Sequence, residues 1–295
     1  MHHRQNTRTI LIHLLQRLFI VAGLFANITC AGENAMPERL TFGVFPFVQT
    51  TRIEHLFAPT ASRFGEVLGI PVAIRSSASM QRFRERIEQQ RYDLIFIQPF
   101  DYIRFAAASG YIPLASWTFK GTRDHPGKLN AVFVVRQDSS IQSLDDLQGK
   151  KIVAPPRESA VAILGELELR KHFPKQLIKT GYSQDHLSCL QQVASRHADV
   201  CICAAPPLAI FRKKHHIPLR VIHMSRWLPS SLYAVNKRIP EAQRKKLRKE
   251  LLSWKIDRAN DRQYLLNGVW SSLCPASDTD YDPVRRLWED YSAGK

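Results

Sequence analysis

The side chains with binding chemistry are an aromatic set and a few hydrogen-bonding groups, each lying just past a strand-like run. Phe45 and Phe47 follow 40–44, Ser76 and Ser79 follow 71–75, Gln98, Phe100 and Tyr102 follow 93–97, and Arg157 follows 151–154. Phe47 and Tyr102 suit the apolar wall of a cleft that holds the non-ionic end of a ligand, whereas Phe100 suits packing beneath its loop. Gln98 fits a ligand contact and a contact with neighbouring backbone equally well. Ser76 and Ser79 are candidate ligand donors, although a helix N-cap accounts for at least one of them. Arg157 carries a planar guanidinium that can pair bidentately with an oxyanion; an ion pair with Glu158 or Glu166 is its competing use. No nucleophile–base pair, carboxylate dyad or metal-ligand cluster stands out at these strand ends, so the expectation is binding without catalysis, metal or cofactor. His215-His216, after Arg212-Lys-Lys214, reads as a solvated helix end.

Two of the runs are near-copies. Asp93-Leu-Ile-Phe-Ile leads through Gln98-Pro to Phe105, and Asp199-Val-Cys-Ile-Cys leads through Ala204-Ala-Pro-Pro207 to Phe211, with the same Asp-to-Phe spacing. Short apolar runs bounded by proline read as buried strands. The whole order of strands and helices from 40 to 117 restarts at 151 and runs to 203. Between them, 130–136 reads as a first crossing, and 219–222 with 231–235 as the return. The remainder, 240–291, reads as helical, with Leu247, Leu251, Trp254, Trp270 and Trp288 as core. The pattern predicts an α/β chain of two similar Rossmann-like lobes with parallel-dominated sheets, joined by two crossing segments: lobe I at 37–118 plus 226–295, lobe II at 119–225. Ligands of such sheets bind outside the carboxyl ends of the strands, where the side chains above are found.

The first 31 residues carry three Arg and no acid ahead of and around the apolar run 18–26, the pattern of a cleaved secretory signal peptide; an uncleaved anchor is the rival. The run is too short to span a bilayer. The net charge of +16 would suit nucleic acid, an anionic membrane surface or anionic small ligands, and export argues against nucleic acid. Much of the excess sits at 237–249, read as a solvated helix face. Of the cysteines left after cleavage, Cys201 and Cys203 share one strand face and cannot pair with each other. Cys189 on the preceding helix can reach one of them, and buried thiols are the equal alternative.

The segment order resembles that of the periplasmic substrate-binding proteins of ABC transporters with the type II two-lobe fold, in particular the phosphate/phosphite/phosphonate-binding group. The matching pieces are Phe42-Gly-Val-Phe-Pro46, Tyr92-Asp-Leu with Tyr102, Leu144-Asp-Asp-Leu-Gln-Gly-Lys-Lys-Ile152, and Ser183-Gln-Asp-His186 ahead of Asp199-Val. The resemblance covers about 40–235. It implies a monomeric periplasmic protein, without catalysis, that closes on a small anionic ligand and delivers it to an inner-membrane ABC permease; a sensor that signals to a membrane partner is the alternative. It implies an anion held at helix N-termini of the second lobe. There Ser159 is the surviving hydroxyl donor, and His186 stands where the group has a ligand-binding histidine. The expected run of small hydroxyl residues is replaced by Arg157-Glu158-Ser159-Ala160-Val161. That departure leaves a carboxylate, a sulfonate or another small anion open as ligand.

Overall fold

The computed structural model describes residues 37–119, 124–175 and 178–293. The predicted signal peptide lies outside the described residues. Among those residues, no helix is long and apolar enough to cross a membrane.

The chain opens with β1 (Leu40–Val44), followed by the helix α1 (Thr50–Leu68), which turns Ile53, Phe57, Ala61, Phe64 and Leu68 inward and stops at Gly69 in the left-handed region, φ 70°. Then come β2 (Val72–Ile74), α2 (Met80–Glu88) and β3 (Leu94–Ile97). A single turn, Pro99–Asp101, runs into a π-helical turn, Tyr102–Ala106, and leads to β4 (Tyr111–Phe119). The short β5 (Lys128–Leu129) precedes β6 (Ala131–Arg136) and β7 (Ile152–Ala154). The helix α3 (Ala160–His172), β8 (Thr180–Tyr182), α4 (His186–Ala194), β9 (Val200–Ala204) and α5 (Ala205–His215) follow. The chain finishes with β10 (Leu219–Met224), β11 (Leu228–Pro229), β12 (Leu232–Asn236), α6 (Glu241–Ser253), β13 (Trp270–Pro275) and α7 (Asp282–Ala293).

These strands form a six-stranded sheet, β13-β4-β12-β3-β1-β2, and a five-stranded sheet, β10-β6-β9-β7-β8. In the first, β2-β1-β3 is parallel and β12 lies antiparallel beside β3. In the second, β8-β7-β9 is parallel and β6 lies antiparallel beside β9. The two sheets therefore share one plan, as the repeated strands implied. They are mixed rather than parallel-dominated, because each receives strands that return from a crossing in the opposite direction. The crossings themselves pair: β5 and β11 form a two-stranded antiparallel ribbon with Leu129 opposite Leu228. The C-terminal region departs from an all-helical reading, since β13 pairs antiparallel with β4 and extends the sheet.

The repeated aspartates do the same job in both sheets. Asp93 N–H donates to Thr41 O (2.9 Å) and its Oδ2 accepts from Thr41 N–H (2.7 Å). Asp199 N–H donates to Lys151 O (2.9 Å) and its Oδ2 accepts from Lys151 N–H (2.7 Å). Each carboxylate thus fixes the start of the first strand against the third. Asp93 is buried and also receives the Arg238 guanidinium at 2.8 and 3.0 Å on Oδ1, whereas Asp199 is exposed and has no such partner among the described residues.

Gly43 in the Phe42-Gly-Val motif has a steric cause: a Cβ there would meet three atoms of the buried Tyr92 ring at 2.7–2.8 Å. Tyr92 is pinned by its hydroxyl against Ser77 (2.9 Å) and by Phe83, so it cannot yield. Gly43→Ala is expected to cost about 2 kcal/mol by overpacking, read as a lower urea midpoint at unchanged m-value. Cys189 and Cys201 form a disulfide with a Cα–Cα distance of 5.7 Å, tying α4 to β9, and Cys203 is a free, buried thiol.

Candidate functional site

Strands β1, β3 and β4 of one sheet and β7 and β9 of the other direct their ends at a common cavity of about 290 Å³. Its walls on the first side are Phe45 and Phe47 after β1, Phe96 and Gln98 at the end of β3, Trp117 on β4 and Trp270 on β13. These rings are in mutual contact: Phe45–Phe47 at 5.1 Å, Phe45–Phe96 at 5.4 Å and Phe96–Trp270 at 5.6 Å between centroids. On the second side the cavity meets the amino ends of α3, α4 and α5, through Ser159, His186 and Pro206 among others.

Each of those helix starts is partly engaged from within the protein. Ser159 caps α3, its Oγ accepting from Ala162 N–H (3.2 Å). Ala160 N–H, the next free donor, is taken by Gln98 Oε1 (3.0 Å), while Gln98 Nε2 donates to Glu158 O (2.9 Å) and Asp101 Oδ2 (2.8 Å). Gln98 therefore spans from the six-stranded sheet to the start of α3 and uses both ends of its amide. Asp185 caps α4, accepting from Ser188 N–H (2.7 Å) and Ser188 Oγ (2.8 Å) on Oδ1. His186 Nδ1 accepts from Ala204 N–H (3.3 Å) at the cap of α5. That bond leaves the proton of the neutral ring on Nε2. Burial pushes the His186 pKa down to about 4 against a smaller opposing pull from Asp185, so the ring is an uncharged donor at pH 7. Among the described residues lining the cavity, the charged side chains are the carboxylates of Glu158 and Asp185.

Four of the seven sequence-derived candidates, Phe47, Gln98, Ser159 and His186, are brought together on this cavity. Three are not among its lining residues. Ser76 donates its hydroxyl to Glu54 Oε1 (2.6 Å), and the N-cap of α2 is Ser79. Tyr102 is buried, donates to Asp278 Oδ1 (2.6 Å) and packs on Tyr281, because the π-helical turn carries its side chain away from the strand end. Arg157 is exposed; the phenolic oxygens of Tyr182 and Tyr291 and the Glu166 carboxylate raise its pKa. Trp117, Trp270 and Phe96 are cavity walls that the pattern assigned to core or left without a role, since buried aromatics on strands carry no signal to separate wall from core.

Two mixed sheets with one plan, joined by a paired crossing and facing one cavity, define a two-lobed binding-protein architecture. The chain belongs to the family of phosphonate-binding periplasmic substrate-binding proteins of ABC transporters, whose model matches residues 42–281. It is similar in fold to the binding-protein component of an ABC phosphonate transporter from Pseudomonas aeruginosa, at 15% identity and TM-score 0.69, over 86% of each chain. It is also similar to PhnD1 from Prochlorococcus marinus, solved in complex with methylphosphonate, at 15% identity and TM-score 0.72, over 87% of this chain and 99% of that one. A Xanthomonas citri protein solved bound to ATP matches at 19% identity and TM-score 0.62, over 88% of this chain and 97% of that one. No curated protein matches the chain.

Proposed function

We propose that this protein captures a small phosphonate-class anion in the cavity between its two sheets and hands it to an inner-membrane ABC permease. The observation that carries this reading is the cavity itself: strand ends of both sheets and three helix amino ends converge on one half-open cleft. Helix amino ends carry partial positive charge, which favours an anionic group nearby. In this reading the protein works as a monomer in the periplasm after removal of its leader, and lobe I (37–118 plus 226–295) hinges on lobe II (119–225) at the β5–β11 ribbon. Titration calorimetry with phosphonates, phosphite, phosphate, sulfonates and carboxylates, paired with solution scattering, tests it. Saturable heat with a phosphonate and a smaller radius of gyration on binding are expected. Silence across the whole panel would sink the reading.

A further inference from the structure

Some of the polar groups at the cavity are already engaged within the protein. Ala160 N–H is answered by Gln98, Ala162 N–H by Ser159 and Ser188 N–H by Asp185. The Ser159 and Ser231 hydroxyls, the Gln184 amide and the His186 ring are neutral hydrogen-bonding groups of the lining. The described lining residues include two carboxylates, Glu158 and Asp185, and no Lys or Arg. A small, multiply charged ion would lose its hydration here without meeting a cationic side chain among the described lining residues. The opposite wall is different in kind. Half-buried Phe45, Phe47 and Phe119 line it, backed by the buried rings of Phe96, Trp117 and Trp270. The volume, about 290 Å³, corresponds to roughly ten water molecules of liquid, far more than a single tetrahedral anion displaces.

We propose that the cavity selects ligands with a flat aromatic or comparably bulky apolar body, seated on the Phe45–Phe47 side, with an anionic head that accepts from His186 and Ser159. The inference rests on the phosphonate-class reading for the head group and adds the body. Moving a phenyl ring from water onto such a wall supplies a gain in affinity of roughly 10- to 100-fold.

Calorimetric titration of the full chain with phenylphosphonate, methylphosphonate, inorganic phosphate and benzyl alcohol separates the possibilities. Phenylphosphonate is expected to bind at least about 30-fold more tightly than methylphosphonate or phosphate. Phe47→Ala, at a half-buried loop position, is expected to remove about tenfold of the phenylphosphonate affinity. Methylphosphonate or phosphate binding as well as or better than phenylphosphonate would overturn the inference and leave the phosphonate-class function standing. Benzyl alcohol binding as tightly as phenylphosphonate would uphold the aromatic body and overturn the phosphonate head. No binding by any of the four would overturn both.

Discussion

Replacing Asp93 by Ala is expected to lower the unfolding free energy by about 3 kcal/mol, and replacing Asp199 by Ala by only about 1 kcal/mol. The two residues lead equivalent strands and make the same paired hydrogen bonds to the first strand of their sheets. What separates them is burial and charge. Asp93 is 5% exposed and holds Thr41 N–H, Thr41 Oγ1 and the Arg238 guanidinium. Removing it strands Arg238, whose other bonds run to the carbonyls of Gln90 and Tyr92. Breaking a buried pair costs about 3–5 kcal/mol, and the lower end applies because Arg238 can partly rehydrate. Asp199 is exposed, so its loss returns one backbone N–H to solvent. Urea unfolding of the two variants beside the parent checks the difference; equal losses would refute the ranking.

Acid is expected to weaken the fold through His186. Its pKa is about 4 in the folded chain against 6.5 for the free side chain. A depressed histidine means that the unfolded chain binds the proton more tightly, so the stabilisation is complete above pH 6.5 and drains away as the pH falls from 6.5 towards 4. Between pH 7 and pH 4.5 this group alone withdraws about 2–3 kcal/mol. His186→Asn keeps an acceptor for the Ala204 N–H and cannot titrate. Unfolding free energies of both proteins at the two pH values test the assignment: the parent should lose more than the variant by that amount. An identical acid loss in the two proteins would remove His186 as the cause.

The repeat in the sequence was a sound guide to the plan of the sheets, because a buried strand and its leading Asp leave a mark in both hydrophobicity and turn chemistry. The order of the elements up to Val235 followed from the same signals. The far C-terminus was not legible. The β13 strand, Trp-Ser-Ser-Leu-Cys-Pro, is short, lies at a sheet edge and alternates weakly, and it follows a segment whose residues 265–267 leave helical backbone angles. At the site, Ser159 and His186 were recoverable through the resemblance to the phosphonate-binding group, which marks both positions. Gln98 was readable as two equal alternatives, and the structure shows the backbone contact. Tyr102 and Trp270 illustrate the limit. One faces away from the cavity because of a π-helical turn, the other faces into it from a strand far along the chain, and neither fact is written in local spacing.

The placement of β12 has a consequence for the order of assembly. It lies between β3 and β4, although more than a hundred residues of chain separate it from either. The five-stranded sheet is complete once Met224 has been made, from a nearly continuous stretch of chain. The six-stranded sheet at that stage is two fragments with an open slot where β12 belongs, each offering unpaired backbone edges. The half that carries the helix amino ends can thus mature first, and the aromatic half acquires its closing strands, including Trp270, only from the last quarter of the polypeptide. Such discontinuity is costly in loop entropy and slow. It also means that a chain interrupted after residue 225 would present a finished second sheet beside a first sheet that lacks β12, β13 and the Trp270 part of the cavity wall.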